Sequence, residues 1–213
     1  MKKLVQSDFD GTLTWEDVSF QILDAFTTED WRHLLKEYQE GKRSVLSFTR
    51  EAFAMVKEDE ETILEFVEKN ARIRDGLKEL VDYCLNKGFE FVIVSNGLDL
   101  YINFLLKKLG LEHIPVYAAK TRCAREGMQV SYIGPDGSEL SDGFKAAHLK
   151  SFLKRGYEVA YIGDGLSDIQ PVKLASLIFA RGALLQYCKG ANLTHYPFES
   201  LKDVIKGLER WHT

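Results

Sequence analysis

The sequence predicts an α/β fold, with a Rossmann-like parallel sheet as its core and an inserted α-helical cap. The first observation is a set of short apolar runs that end in small and polar residues and lead into helical patterns: "KKLVQSDFDG", "FEFVIVSNG" and "YEVAYIGDG". Such runs are typical of buried parallel strands. The segments "IPVYAAK" and "ASLIFARG" predict two further strands. The second observation is a long helical tract between the first two strands along the chain.

This helical tract extends roughly from Trp15 to Ile73, with apolar residues at three- and four-residue spacing. It is too long for one crossover helix, and four consecutive helices would need a small core of their own. We therefore predict a Rossmann-like core from residues 1–14 and 74–213 and a helical cap from residues 15–73. The alternative is that these helices simply pack on the sheet.

Composition and charge narrow the classes of function. The chain has 213 residues, of which 45% are hydrophobic and 28% charged, as in ordinary globular proteins. A net charge of -4 without a polybasic run predicts no nucleic-acid partner. The short apolar stretch at the start predicts no signal peptide, and no later run has transmembrane length, so we expect a cytoplasmic protein without a membrane partner. Cys84, Cys123 and Cys188 are widely separated, which predicts free thiols.

Two carboxylates stand at the end of the first predicted strand, where Asp8 and Asp10 flank Phe9. Residues two apart on an extended chain point to the same face, so these like charges would repel each other. The arrangement is explained if a cation neutralises them, or if they divide the roles of nucleophile and proton carrier. The alternative is an Asx-type turn in which Asp10 starts the loop at Gly11.

A second acidic pair lies in "GDGLSD", where Asp164 follows a predicted strand and Asp168 is four residues further on. Polar residues beyond the carboxyl ends of parallel strands converge on one crevice. Together with Asp8 and Asp10 they make a set of carboxylates without His or Cys, which suits Mg²⁺ better than zinc. Taken alone, Asp168 could be a helix N-terminal charge favoured by the helix dipole.

Three more residues are candidates for binding phosphate. Ser95 and Asn96 lie in "VSNG", where a hydroxyl and backbone N–H groups at the start of the next helix would form a natural phosphate cradle. Lys145 lies near the start of a predicted helix, where the dipole disfavours a positive charge, so an anionic partner would explain it. A solvated surface lysine is the alternative.

"DFDGTLT", "VSNG", Lys145 and "GDGLSD" resemble, in this order, the four motifs of the haloacid dehalogenase-like hydrolase superfamily, and the similarity spans nearly the whole chain. The position of the insertion is similar to the cap of the phosphoserine phosphatase-like branch. Within that branch, "ARIRDGLKELV", "SNGLDLYINFLL" and the tail from "FARGALLQ" resemble the methionine-salvage 2-hydroxy-3-keto-5-methylthiopentenyl-1-phosphate phosphatases.

The resemblance implies a Mg²⁺-dependent phosphatase that hydrolyses a small-molecule phosphate monoester through an aspartyl-phosphate intermediate. Asp8 would be the nucleophile, and Asp10 would protonate the leaving oxygen and then deprotonate the attacking water. The implied metal ligands are Asp8, the Asp10 carbonyl and Asp164. Asp168 would be either a ligand or part of the metal's immediate surroundings.

The remaining implied roles concern the substrate. Ser95, Asn96 and Lys145 would bind the phosphoryl oxygens. Asp17 would face the substrate from the cap entrance, as an acidic residue does in the phosphoserine phosphatases that the chain resembles. It could equally be the N-cap of a helix beginning at Val18, and the two roles are compatible.

Other function classes remain open. A phosphomutase on the same scaffold would use both opening aspartates but would have to shield its phosphoenzyme from water. A non-enzymatic phospho-aspartate receiver or binding module needs neither Asp10 as acid and base nor a large cap. A dehalogenase is disfavoured because a halide leaving group needs no proton from Asp10.

Overall fold

The computed structural model describes residues 2–212, which contain one seven-stranded sheet. The strands are β1 Lys2–Ser7, β2 Glu90–Leu98, β3 Val116–Arg122, β4 Gln129–Ser131, β5 Tyr157–Gly163, β6 Leu177–Ala180 and β7 Tyr196–Pro197. Their spatial order is β4-β3-β2-β1-β5-β6-β7, and only the β3–β4 pair is antiparallel. All five predicted strands are present and mutually parallel, which confirms the fold class. The short strands β4 and β7 were not predicted.

Helices connect these strands. Four of them follow β1 in succession: α1 Val18–Phe26, α2 Arg32–Gln39, α3 Val45–Phe53 and α4 Glu60–Asn70. The others are α5 Leu77–Asn86, α6 Asp99–Lys108, α7 Phe144–Lys154, α8 Ile169–Val172, α9 Gly182–Gly190 and α10 Leu201–His212. None of the helices within residues 2–212 has the length and apolar character that crossing a bilayer requires.

Side-chain caps explain where the inserted helices begin. Asp17, Ser44 and Asp59 each accept a hydrogen bond from the backbone N–H three residues later, at the starts of α1, α3 and α4 respectively. Such caps satisfy backbone donors that have no partner within the helix. The predicted N-cap role of Asp17 is therefore observed.

Aromatic packing holds the inserted helices together. The ring of Phe20 on α1 lies 5.2 Å from that of Trp31 and 6.3 Å from that of Phe48 on α3. Phe26 and Phe66 join α1 to α4 at 5.2 Å. The buried apolar residues of these helices belong to one continuous cluster with those around the sheet.

The chain enters and leaves this helical insertion at two adjacent segments. Thr14 and Ile73 form an isolated antiparallel bridge. Beside it, the Trp15 N–H donates to the Arg72 carbonyl at 2.9 Å and the Arg74 N–H donates to the Leu13 carbonyl at 2.8 Å. The insertion is thus tied to the strand-bearing part of the chain by two short paired crossings.

The sheet register brings the ends of β1 and β5 level with the end of the regular part of β2, before its bulge. Ser7, the last residue of β1, is paired with Ile93 of β2 and Ile162 of β5. The β2–β3 register shifts between Val94 and Leu98, so that the residues between them bulge out of the ladder. Polar residues at the ends of β1, β2 and β5 therefore meet at one edge of the sheet.

A histidine on α7 is buried among aromatic rings. His148 is 3% exposed, and its ring lies 4.5 Å from that of Tyr117 and 4.7 Å from that of Phe144. Its Nε2 has no hydrogen-bond partner in the described part of the chain. Burial lowers the pKa of His148 to about 4, against the smaller opposing effect of a backbone hydrogen bond at Ile133. The folded protein therefore holds this ring neutral.

We expect His148→Phe to be less sensitive to acid than the wild-type protein. Between pH 6.5 and 4 the unfolded chain binds a proton at His148 that the folded chain does not, so folding stability falls as the pH falls. This one group accounts for a loss of up to about 3 kcal/mol across that window. Urea unfolding at pH 7.5 and pH 4.5 measures it. Equal pH dependence in the two proteins would contradict the assignment.

Candidate functional site

A cavity of about 420 Å³ lies between the level strand ends and the helical insertion. Seven of the predicted site residues line it: Asp8, Asp10, Asp17, Ser95, Asn96, Lys145 and Asp164. The eighth, Asp168, is fully buried and contacts Lys145. The opposite wall is mainly aromatic and aliphatic, and comes from Trp15, Phe20, Leu35, Tyr38, Val45 and Phe48. The structure therefore brings the predicted residues together from segments far apart in sequence.

A buried lysine joins two of the carboxylates. Lys145 Nζ lies 2.7 Å from Asp8 Oδ2 and 2.7 Å from Asp168 Oδ1, and the Lys145 side chain is 3% exposed. Burial acts to lower the pKa of Lys145, but the two carboxylates outweigh it and raise this pKa above its ordinary value. Lys145 is therefore a charged residue inside the site, and the solvated surface lysine considered above is not what the structure contains.

Asp168 uses both of its oxygens in hydrogen bonds. Oδ1 accepts from Lys145 Nζ and, at 2.6 Å, from the hydroxyl of Tyr161. Oδ2 accepts from the backbone N–H groups of Asp164 at 3.0 Å and Gly165 at 2.9 Å. With these four donors Asp168 is fully engaged. It orients Lys145 and the loop that carries Asp164.

The carboxylates of Asp8, Asp164 and Asp168 form a compact cluster, with one oxygen from each lying within 4.8 Å of the others. Asp164 Oδ1 accepts from the hydroxyl of Thr12 at 2.7 Å. Burial, reinforced by Asp168, raises the pKa of Asp164 to about 6. Burial also raises the pKa of Asp8, against the opposing charge of Lys145. One lysine does not balance this negative charge, and the donor set is all oxygen, so the cluster fits a hard divalent cation.

A glycine makes this cluster possible. Gly11 has a positive φ of 70°, and a Cβ built on it would lie 2.5 Å from Asp164 Oδ2. Both the turn and the close approach of the two loops therefore require glycine at this position.

Asp10 is held from two directions. Its Oδ1 accepts from the backbone N–H of Val18, the first residue of α1, at 3.1 Å. Its Oδ2 accepts from the hydroxyl of Tyr101 on α6. Burial raises the pKa of Asp10, and the neighbouring carboxylate of Asp17 adds to that effect. The acid thus bridges the inserted helices and the part of the chain that forms the sheet.

The "VSNG" segment differs from the expected helix start. Ser95 and Asn96 lie in the bulged part of β2, and α6 begins only at Asp99. Ser95 Oγ accepts from the N–H of Gly97 at 3.0 Å. Asn96 Oδ1 is buried, and no described residue donates a hydrogen bond to it. The bulge, rather than a helix terminus, presents these groups to the cavity.

Asp17 occupies both of the places considered for it. Its Oδ1 accepts from the N–H of Phe20 at 2.9 Å as the N-cap of α1, and the residue also lines the cavity. Burial raises its pKa to about 7. It is an acidic group on the cavity wall that the insertion forms. Among the described lining residues, the insertion contributes no lysine or arginine to this wall.

Three residues that sequence reasoning missed also belong to this site. Tyr101 and Tyr161 contact Asp10 and Asp168, but in the sequence they are indistinguishable from core aromatics of a helix and a strand. Arg181 lines the cavity, and its guanidinium donates to the Gly11 carbonyl at 2.5 Å. It directly follows β6, so the convergence of strand ends was a signal that could have found it.

Comparison with known proteins gives one family. A family profile described as haloacid dehalogenase-like hydrolase matches residues 5–171. A curated 2-hydroxy-3-keto-5-methylthiopentenyl-1-phosphate phosphatase from Bacillus pumilus is 27% identical, over 100% of this chain and 96% of that protein. Its counterpart from Geobacillus kaustophilus is 29% identical, over 95% of this chain and 94% of that protein.

Solved structures of phosphoserine phosphatases share the fold. A phospho-aspartyl intermediate analogue of phosphoserine phosphatase has a TM-score of 0.70 at 23% identity, covering 96% of this chain and 98% of that chain. The phosphoserine phosphatase from T. onnurineus has a TM-score of 0.70 at 22% identity, covering 97% and 94%. In both comparisons the similarity extends along nearly the whole chain.

Proposed function

Because the chain belongs to the haloacid dehalogenase-like hydrolase family, we propose that it is a Mg²⁺-dependent phosphatase that hydrolyses a small-molecule phosphate monoester through an aspartyl phosphate on Asp8. The observation that carries this proposal is the position of Asp8, which is 6% exposed on the cavity wall and paired with Lys145. Such a nucleophile splits one difficult hydrolysis into two easier steps.

The oxygen cluster would hold the metal. Asp8, Asp164 and the backbone carbonyl of Asp10 are the proposed ligands, and when bound the ion supplies positive charge that offsets both the carboxylates and the transferring phosphoryl group. Asp168 is proposed to support the metal site without binding the ion, since its oxygens already accept hydrogen bonds from Lys145, Tyr161 and two backbone N–H groups.

The chain's own residues account for the movement of bonds and protons. An Asp8 carboxylate oxygen attacks phosphorus while the ester P–O bond breaks, and Asp10 gives its proton to the leaving oxygen. Water then attacks the aspartyl phosphate, Asp10 takes a proton from it, and the bond between phosphorus and Asp8 breaks. Lys145, Ser95 and Asn96 are the proposed partners of the remaining phosphoryl oxygens, since all three line the same cavity.

Residues 15–73 are proposed to act as a cap over this cavity. Four successive helices fill that stretch, and the paired crossings at Thr14 and Ile73 mark where the chain enters and leaves it. Two adjacent hinges would let the insertion open for substrate and close against water. The boundary with the core is accordingly proposed to lie at residues 14 and 74.

The cap wall suggests the substrate class. Its aromatic and aliphatic side chains, and the lack of Lys or Arg among its described lining residues, fit an uncharged, largely apolar substituent better than an anionic one. The curated relatives are named for a phosphate ester that bears a methylthio group. We therefore propose a keto- or hydroxy-bearing phosphate monoester of that kind as the substrate.

Metal removal tests the activity. We expect p-nitrophenyl phosphate to be hydrolysed in the presence of Mg²⁺, and the rate to fall to that of Asp8→Asn when EDTA is added, because the clustered carboxylates need a cation before an anionic ester can approach. Release of inorganic phosphate is the measurement, and added Mg²⁺ should restore it. Equal rates with Mg²⁺ and with EDTA would overturn the metal proposal. Phosphoryl transfer to a second ester without phosphate release would instead favour a mutase.

A further inference from the structure

A chain of hydrogen bonds runs from the cap to Asp10, and the mechanism above does not use it. Tyr101 on α6 is fully buried, and its hydroxyl contacts both Asp10 Oδ2 and, at 2.8 Å, Ser19 Oγ. Ser19 lies on α1 and lines the cavity. Tyr101 thus stands between the proposed acid–base residue and the inserted helices.

The chemistry of these groups sets the direction of the chain. An ionised carboxylate only accepts, so the single O–H of Tyr101 donates to Asp10. The lone pairs of Tyr101 are then left to accept, and Ser19 donates to Tyr101. The side chains of Tyr101 and Ser19 both end in hydroxyls, and a hydroxyl can donate or accept a hydrogen bond. The two contacts can therefore persist whether or not Asp10 carries the proton that it exchanges.

The surroundings are shaped to admit this hydroxyl. A Cβ built on Gly97 would lie 2.0 Å from the Tyr101 hydroxyl oxygen and 2.3 Å from Asp10 Oδ2. The Tyr101 ring packs 6.2 Å from the ring of Phe9, the residue between Asp8 and Asp10 in the sequence. Any side chain at position 97 would displace this contact, so the glycine, the tyrosine and the acid form one fitted unit.

We propose that Tyr101 is a positioning residue that holds the Asp10 carboxylate in its reactive orientation, and that Ser19 extends this hold to the first helix of the insertion. The inference rests on the proposed role of Asp10. Val18 supports it, since its backbone N–H fixes the other oxygen of Asp10 from the same helix turn. Asp10 would therefore be fully oriented only while α1 is seated against the rest of the chain.

Two phosphate esters that differ in their leaving group test this proposal. Tyr101→Phe keeps the ring and removes only the hydroxyl, so Asp10 should lose its orientation while Asp8 remains intact. In single-turnover measurements of the first step, we expect an alkyl phosphate to react at least about 10-fold more slowly and p-nitrophenyl phosphate less than about 3-fold more slowly, because nitrophenolate leaves without a proton. The KM of both esters should be unchanged.

Ser19→Ala and a matched control complete the design. Ser19→Ala should show the same pattern more weakly, and the double variant should be no slower than Tyr101→Phe alone, since Ser19 acts through Tyr101. Tyr157 is another buried tyrosine, and its hydroxyl donates to the carboxylate of Glu90 outside the cavity, so Tyr157→Phe should leave both rates unchanged. If Tyr101→Phe fails to fold, Ser19→Ala carries the test.

Asp10→Asn separates failure of this inference from failure of the proposed function. If Asp10→Asn slows the alkyl ester selectively while Tyr101→Phe slows both esters equally or neither, the positioning role is wrong and the acid–base role of Asp10 stands. If Asp10→Asn shows no selectivity, the proposed function of Asp10 fails. Selective loss in Asp10→Asn, Tyr101→Phe and Ser19→Ala together supports the inference.

Discussion

Asp8→Asn is expected to lower turnover of every phosphate monoester by at least about 10⁴-fold, the scale on which hydrolases respond to the loss of a nucleophile. Amide nitrogen and oxygen are poor nucleophiles, so no phosphoryl-enzyme should form in rapid-quench experiments. The fold should survive, because Lys145 keeps its 2.7 Å contact with Asp168 and donates to Ser167 as well. Activity and phosphoenzyme are therefore lost together while the unfolding transition remains.

An exposed aspartate on another helix is the control for this result. Asp82→Asn, on α5, removes the same charge from the surface and should leave turnover and unfolding unchanged. Residual turnover in Asp8→Asn above about 1% of wild type, with phosphoenzyme still trapped, would show that another residue accepts the phosphoryl group.

Lys145→Met should have the largest effect on stability. The methionine fills a similar volume, but the substitution leaves the buried carboxylates of Asp8 and Asp168 without their shared cation. Removing one partner of a buried ion pair typically destabilises a protein by about 3–5 kcal/mol, because the remaining charge is desolvated and unpaired. We expect a loss of this size in the free energy of unfolding in EDTA, and a fall in activity to near background.

The stability of the Lys145→Met variant should also depend on pH and on Mg²⁺. Burial raises the pKa of Asp8 and Lys145 opposes that rise, so without Lys145 the Asp8 carboxylate binds a proton still more tightly in the folded than in the unfolded chain. The variant should therefore regain stability relative to wild type as the pH falls from about 7 to 5. Mg²⁺ should restore part of the loss at neutral pH. Lys150→Met, at an exposed position on the same helix, is the control. A Lys145→Met protein as stable in EDTA as Lys150→Met would contradict the buried triad.

The parallel sheet and the composition of the site could be predicted from the sequence because their signals are local. An apolar run ending in "SDFDG" or "IGDG" reports a buried strand and a polar strand end within ten residues. The rule that parallel strand ends converge then brings Asp8, Ser95 and Asp164 to one edge without further information. The four inserted helices followed equally from their periodicity.

The elements that the sequence did not reveal lack such local signals. Strands β4 and β7 have three and two residues, too few for any periodic pattern. The bulge in β2 arises from its register with β3, so "VSNG" alone suggested a helix start. The burial of Lys145 likewise depends on which elements pack over it.

The chemical groups that stand at the ends of the strands can be read from the order of the amino acids. Their pairing depends on the folded chain: Asp8 and Asp168 share Lys145, Thr12 donates to Asp164 across 152 positions, and Tyr101 donates to Asp10 across 91. The reason is that the two kinds of interaction act over different separations along the chain. Strand and helix propensity act between neighbours along the chain, whereas hydrogen bonds and charges act between neighbours in space, and packing of the whole chain chooses those neighbours.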